Sequence, residues 1–458
     1  MPAIESRAEP LFVVRAESPH ARVFTDAIIV GVLTTAAKLA GAAKVMATAR
    51  YFGTGDALDA FLIAFLLPSF VSDVVAGSFT PTLVPVLVRA QAAEGPVAAQ
   101  RLARLALGFS TSLMLAAAVA LALCGRWLLA LAGSSFSAEK LHLSLMLFLS
   151  LVIWLPMSAC IATWRAVLNA HRRFALAAIA PLASPVMLIA LLFAFADRWG
   201  VAILCGGTVI GVALECLVLA FAVRSLGYPV MPLRGAWKAP ELKTLRDQYF
   251  PLAAGVVVSS LGIVVDQSVA GRLGPGQVSA LSYGIKLTGV LLAIVATGLS
   301  TAVLPMFSRL AAAQDWARLR HAALLYAGSA TLFMVPITAA LVAYSGPLVR
   351  ILYQHGAFQE SAAAVVTQVQ RMSLLQAPLT ILVSVVGRLT VSLSASVVLL
   401  RMGIAGLITN VVLDVILSRT MGVAGIALAT AGVQVVSLIV LTILLRQRAP
   451  GLFGGRGA

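Results

Sequence analysis

Charge is what this 458-residue chain has least of: Asp, Glu, Lys and Arg together make up 11% of it, against about 25% in a soluble domain. Hydrophobic residues supply 60% and the mean hydropathy is +1.00, and from Asp26 to Leu445 no polar stretch is large enough to form a separate domain. A soluble fold is excluded. The four cysteines, Cys124, Cys160, Cys205 and Cys216, lie in or at the ends of apolar runs without metal-ligand spacing. They imply neither a disulfide framework nor a zinc site and read as small packing residues. The five histidines are scattered, and no His, Ser or Cys grouping could form a hydrolytic site, so no enzyme is expected. Gly53-x-Gly55 and Gly274-x-Gly276 follow apolar runs rather than strands, which makes them turns and not phosphate loops.

What the chain has in abundance is apolar runs of about 20 residues, the length that crosses a ~30 Å hydrocarbon core. They are expected at 26–49, 57–88, 104–125, 142–164, 174–196, 200–223, 249–271, 277–308, 321–344, 362–387, 397–417 and 422–445. The fold class is therefore an all-α polytopic membrane protein of about twelve helices, resident in an inner membrane. Ala47-Thr48-Ala49 resembles a leader cleavage site, but Lys38 and Lys44 inside the first run argue against one. Spans 57–88 and 277–308 are long for one straight crossing and contain Pro68, Pro81, Pro85 and Pro305, so kinks or interruptions are expected there.

The formal charge of +16 is a matter of topology. With the N-terminus in the cytoplasm, alternate loops on that side hold Arg89, Arg101 and Arg104, then Arg165, Arg172 and Arg173, then Arg224, Arg234, Lys238, Lys243 and Arg246. By this count about 22 of the 33 Lys and Arg residues lie inside, as the positive-inside rule requires. Both termini are expected in the cytoplasm, and nucleic-acid binding is not implied.

The polar connection 225–248, with Pro229, Pro232 and Pro240, divides the chain nearly in half. It separates a cytoplasmic tail 1–25 and an N-lobe 26–224 from a C-lobe 249–447 and a tail 448–458. Gly53 and Gly55 recur at Gly274 and Gly276 with an offset of 221, Pro85 recurs at Pro305 with 220, and Gly200 at Gly422 with 222. Three anchors at nearly one offset imply a duplicated six-helix unit in one orientation, an arrangement that places a substrate cavity between two lobes. Gly207 and Gly211 make a GxxxG in the sixth run, a close-packing feature.

A charge at mid-bilayer costs roughly 2.5–3.5 kcal/mol on insertion scales and generally faces a cavity or a partner. Lys38 and Lys44 lie ~9 Å apart along the first helix and about 120° apart around it, and Lys286 sits well inside the eighth span. Either they line a solvated cationic cavity, or they snorkel to headgroups or pair with helix carboxylates. The acids in the spans are Asp59, Asp73, Glu215, Asp266 and Asp414. Asp59, Asp73 and Asp266 are candidates for coupling or charge tuning, by holding the lysines apart, binding a coupling cation or taking up protons. Glu215 and Asp414 are assigned an interhelical hydrogen bond or an arginine partner.

The run Ala37-Lys38-Leu39-Ala40-Gly41-Ala42-Ala43-Lys44, then Phe52-Gly53-Thr54-Gly55-Asp56-Ala57-Leu58-Asp59-Ala60-Phe61, then Ala64-Phe65-Leu66-Leu67-Pro68, resembles the opening of the MurJ/MviN family. Ser279-Ala280-Leu281-Ser282-Tyr283 with Lys286, and Val303-Leu304-Pro305, are similar to its eighth helix. The resemblance implies the MOP exporter fold, MATE-like, with two six-helix lobes around a cationic cavity. It implies export of lipid II, an undecaprenyl-diphosphate-linked saccharide, for cell-wall synthesis. The family's cavity arginines fall at Lys38, Lys44 and Lys286, which keeps the charge and loses the bidentate fork; its aspartate falls at Asp59. Its paired basic residues become Ser72-Asp73, and its following glutamate has no counterpart in Val75-Ala76-Gly77-Ser78-Phe79. The resemblance also implies two further helices forming a lipid-tail groove, which twelve spans leave to be built otherwise. Alternatives are a flippase for an exopolysaccharide or capsule repeat unit, a cation-coupled multidrug exporter, which the lysines argue against, and a scaffold that recruits synthases. The expected partners are the lipid-linked saccharide, membrane lipids and a glycan polymerase or synthase. No cofactor is expected, and a coupling ion is left open.

Overall fold

A computed structural model describes residues 19–233, 239–393 and 396–448. Its helices run in the order α1 (Pro19–Phe52), α2 (Asp56–Glu94), α3 (Pro96–Ala132), α4 (Ala138–Val152), α5 (Leu155–Ala170), α6 (Phe174–Ile179), α7 (Ala183–Trp199) and α8 (Ala202–Ser225) in the first half. The second half continues with α9 (Lys243–Gly271), α10 (Gln277–Ala312), α11 (Trp316–Ala343), α12 (Ser345–Tyr353), α13 (Glu360–Leu374), α14 (Gln376–Ser392), α15 (Ser396–Met421) and α16 (Val423–Arg448). Among the described residues there are 11 spans long and apolar enough to cross a membrane; with α1, whose 34 residues hold Lys38 and Lys44, they account for the twelve expected crossings. Leu123, Trp127, Phe221 and Leu332 stand exposed on the outer surface, as side chains facing lipid do.

The duplication is visible in the breaks. The crossing α4–α5 is interrupted at Ile153 and Trp154, and α13–α14 at Leu375, which corresponds to Trp154 at an offset of 221. The single 37-residue helix α3 has its counterpart in α11 followed by α12. Gly200 (φ 52°) and Gly422 (φ 59°) turn the chain into the last crossing of each half in the left-handed conformation that glycine adopts without strain. Of the kinks or interruptions expected in the second and eighth crossings, interruptions are not found: α2 and α10 run on for 39 and 36 residues with their prolines inside. Each proline removes one backbone bond and leaves the neighbouring turns closed. The breaks fall where a proline can start a new turn, at Pro156 in α5 and Pro181 in the 3₁₀ turn Ala180–Leu182.

In α8 the GxxxG face packs on α7: a Cβ at Gly211 would stand 2.7 Å from Ser184 Cα, and one at Gly207 3.0 Å from Leu188. Much of the connection expected over 225–248 is structured. Leu233 N–H donates to the Arg104 carbonyl (3.1 Å), the Arg104 guanidinium donates to the Met231 carbonyl (3.2 Å), and Tyr228 packs edge-on against His171. Residues 234–238 lie outside the described residues, as do 1–18 and 449–458, most of the two expected tails. α9 begins at Lys243, earlier than the hydropathy suggests, because Leu242, Leu245 and Tyr249 form a buried stripe at helical spacing. Tyr249 sits between Phe79 of α2 and Phe109 of α3, and its hydroxyl donates to the Val75 carbonyl. The first turns of the second lobe are thereby anchored on the first.

Candidate functional site

Between the lobes lies a cavity of about 230 Å³, lined by Lys44 of α1, Phe61 and Phe65 of α2, Gln267 of α9, and Tyr283 and Lys286 of α10. Two of the three expected lysines thus meet in one place, each within electrostatic reach of the other. Lys38 is exposed one and a half turns away on α1, does not line the cavity, and adds its field at Lys286. Aromatic and aliphatic side chains line the cavity together with Thr48, Ser69, Thr208 and Ser282, and the Gln267 side-chain oxygen is buried without a hydrogen-bond partner among the described residues. Two cations in one cleft suit a group with two or more negative charges. Lysine offers point charges and up to three donors each, without the planar fork of arginine.

One end of this cavity is sealed, and Asp59 makes the seal. Its side chain is fully buried at the start of α2, and it reaches across to the start of α10. Its carboxylate accepts the backbone N–H of Gly276 (2.7 Å) and of Ser279 (2.8 Å), two donors that the first turn of a helix leaves unpaired. The positive end of the α10 dipole adds to the attraction. On its own side Asp59 faces the Lys140 ammonium at 3.4 Å, which also contacts Asp56 at 2.5 Å and lies over the Phe136 ring. Around this cap the Tyr283 hydroxyl donates to the Gly53 carbonyl (3.2 Å), and the Ala357 N–H donates to the Arg50 carbonyl (2.8 Å). The two loops meet backbone to backbone: a Cβ on Gly53 (φ 55°) would strike the Ala357 carbonyl, and one on Gly356 (φ 64°) the Arg50 carbonyl. Asp59 therefore joins the lobes at one end of the cavity and faces Lys140 instead of Lys38, Lys44 or Lys286.

The other two expected acids go elsewhere. Asp73 lines a separate cavity of about 560 Å³ inside the first lobe, with Arg165 and Glu215 among its other walls; Glu215 has its arginine partner in Arg165 at 3.5 Å. Asp266 of α9 accepts from the Asn410 amide (2.9 Å) and interacts directly with Asp414, both on α15. Asp414 is fully buried, and neither of its oxygens nor the Asn410 Oδ1 has a hydrogen-bond donor among the described residues. Of the two partners expected for Asp414, an interhelical hydrogen bond or an arginine, it has the interhelical contact, with the second acid Asp266. No group of three or more His, Cys, Asp and Glu converges among the described residues. Sequence reading missed Lys140, Arg165 and Asn410. Lys140 opens an apolar run beside Glu139, where a charge reads as an ordinary helix start, and nothing local signals its partners more than 80 positions earlier.

Comparison with known proteins bears on the family and the fold. The family described as "Lipid II flippase MurJ" matches residues 48–457. A probable lipid II flippase MurJ of Synechocystis sp. is 26% identical over 446 residues, 93% of this chain and 81% of the relative. The lipid II flippase MurJ of Burkholderia cenocepacia is 27% identical over 365 residues, 76% of this chain and 69% of the relative. Among solved structures, a lipid II flippase MurJ in an inward closed conformation superposes with a TM-score of 0.79 at 21% identity, over 92% of this chain and 87% of that one. An inward-facing multidrug MATE transporter of the MOP superfamily superposes with 0.76 at 14% identity, over 93% of this chain and 100% of that one, a likeness of fold alone. With a family match across nine-tenths of its length and the same two-lobed helical architecture, this chain is a multi-pass membrane protein that belongs to the lipid II flippase MurJ family.

Proposed function

We propose that this protein moves lipid II across the bacterial inner membrane by alternating access, with both termini in the cytoplasm. The observation that carries the reading is the pairing of Lys44 with Lys286 in an interlobe cavity whose far end is closed by Asp59. With the N-terminus inside, that closed end faces outward. A diphosphate headgroup arriving from the cytoplasm meets two ammonium groups where water is scarce, and charge pairing is stronger there than at the surface. Lys38, further towards the entrance, adds to the attraction. Rocking of the lobes then requires Asp59 to leave the α10 N-terminus; Lys140 remains beside it, so the carboxylate is not stranded.

The Asp266, Asn410 and Asp414 oxygens fit a hard monovalent cation or a shared proton, because Asp414 presents buried, undonated carboxylate oxygens. Binding there is proposed to couple transport to an ion gradient, by neutralising two acids whose repulsion otherwise strains the packing of α9 on α15. The family match favours lipid II over an exopolysaccharide or capsule unit, and the cationic cavity disfavours a cationic drug. A glycan polymerase or synthase would consume the product at the outer leaflet. The test is complementation: deplete the resident lipid II flippase of a bacterium, express this chain, verify its membrane level, and follow survival and outer-leaflet lipid II. Survival with restored exposure supports the reading. Death at normal expression overturns it and moves the substrate to another polyprenyl-linked glycan.

A further inference from the structure

The duplicated unit places a cavity at the same position in both lobes. Ala162, Pro181 and Glu215 line the one in the first lobe, and the residues 221 or 222 positions later, Val383, Gly403 and Ser437, line the one in the second. Their chemistry differs. The second-lobe cavity, about 270 Å³, is the smaller and has Asp266 and Asn410 on its wall. The first-lobe cavity, about 560 Å³, has no counterpart of that compact cluster. Its acid, Asp73, is open to the cavity, and among the described residues no hydrogen bond or ion pair reaches it. Glu215 and Arg165 pair with each other at 3.5 Å, which leaves Asp73, exposed to the cavity, as the carboxylate that has no partner among the described residues and can receive a cation.

Two further features point to the kind of visitor. The Trp154 and Phe174 side chains line the cavity, and aromatic walls beside a carboxylate suit an organic ammonium better than a bare ion. Trp154 is more than nine-tenths buried, and its indole N–H and the Arg165 Nε–H are buried without acceptors among the described residues. Both are donors without acceptors beside the cavity, and a small side-chain rotation would present them to carbonyl or hydroxyl oxygens. The cavity also adjoins the central one: Phe65, on the wall of the central cavity, stacks on Trp154 at 6.1 Å. A headgroup held by its phosphates at Lys44 and Lys286 has this compartment as a neighbour.

We propose that the first-lobe cavity is a second subsite of the transported headgroup, which binds an aliphatic ammonium at Asp73 and nearby carbonyl or hydroxyl oxygens at Trp154 and Arg165, and so selects amine-bearing substrates. This rests on the reading of the protein as a lipid II flippase. It assigns Asp73 to substrate selection and leaves ion coupling to the second lobe.

The experiment uses the full chain in proteoliposomes with two probes: lipid II carrying a lysine side chain in its peptide, and the same lipid II with that amine acetylated. The wild type is expected to move the free amine roughly tenfold faster at limiting substrate, the worth of one charge-assisted contact. Asp73→Asn should erase the ratio and Asp73→Glu keep most of it, with reconstituted protein levels matched. Equal rates for the two probes in the wild type, or an undiminished ratio in Asp73→Asn, would overturn the subsite while leaving lipid II transport standing. Movement of neither probe by the wild type would overturn the flippase reading, and the subsite with it.

Discussion

Replacing Asp59 by Asn tests the interlobe seal, proposed above to face outward, with almost no change of shape. The carboxylate now accepts two backbone N–H groups of the first turn of α10, at 2.7 and 2.8 Å. Asparagine keeps one oxygen for one of them and turns an N–H₂ donor towards the other. Losing one charge-assisted bond costs about 1.5–3 kcal/mol, and losing a carboxylate at a helix N-terminus about 0.3–2 kcal/mol. The closed end should therefore weaken by about 2–5 kcal/mol, a shift of roughly 30- to 5,000-fold in the gate equilibrium. Lys140 loses little, because Asp56 remains its nearer partner. The shift can be read with a cysteine at Ser282, a residue lining the central cavity, and a membrane-impermeant maleimide added from outside. The labelling rate follows the open population, so Asp59→Asn should raise it at least tenfold over the Ser282→Cys parent, and Asp59→Glu by much less. An unchanged rate in normally inserted protein would show that the seal is held by other contacts and refute the role given to Asp59.

Other consequences are as direct. Lys286→Ala or Lys44→Ala should abolish lipid II transport in proteoliposomes without loss of inserted protein, while Lys286→Arg retains it; retained transport in Lys286→Ala would remove the phosphate site. Asp414→Asn should leave a dependence of transport on the imposed sodium or proton gradient that is flat, since one of two facing acids is gone; an unaltered dependence places coupling elsewhere. Gly211→Ala should lower the Tm of the purified protein, at a cost of about 1–3 kcal/mol for overpacking, because its Cβ would meet the Ser184 backbone. Gly206→Ala, with nothing within 4 Å, should leave the Tm unchanged or raise it slightly.

The crossings were legible because spanning a membrane demands long apolar helices, and that demand is local. The repeat was legible too, through glycines such as Gly200 and Gly422 whose backbone conformation admits little else. The site was legible only in part. Lys44 and Lys286 announce themselves because a charge in an apolar run is costly, and they do meet. Cost alone does not say what a charged residue faces. Asp59, Asp73 and Asp266 look alike in sequence, yet one caps a helix of the other lobe, one lines a first-lobe cavity, and one meets Asp414 and Asn410. Partners such as Gly276 for Asp59, 217 positions away, are set by tertiary packing. The helix breaks were misplaced for a related reason. Prolines inside α2 are carried by continuous helix, while Pro156 and Pro181 begin new turns, and the difference lies in which neighbours pack against them.

The interlock of Gly53 with Ala357 and of Gly356 with Arg50 has a mechanical corollary. Where main chain meets main chain there are no rotamers to yield by degrees, so partial opening wins no compensating contact and the two loops separate as a unit. This end of the cavity then behaves as a latch with two positions instead of a diaphragm. Its tolerance is about the size of one methyl group: an alanine at either glycine would act as a doorstop, holding that door ajar whatever the cargo inside.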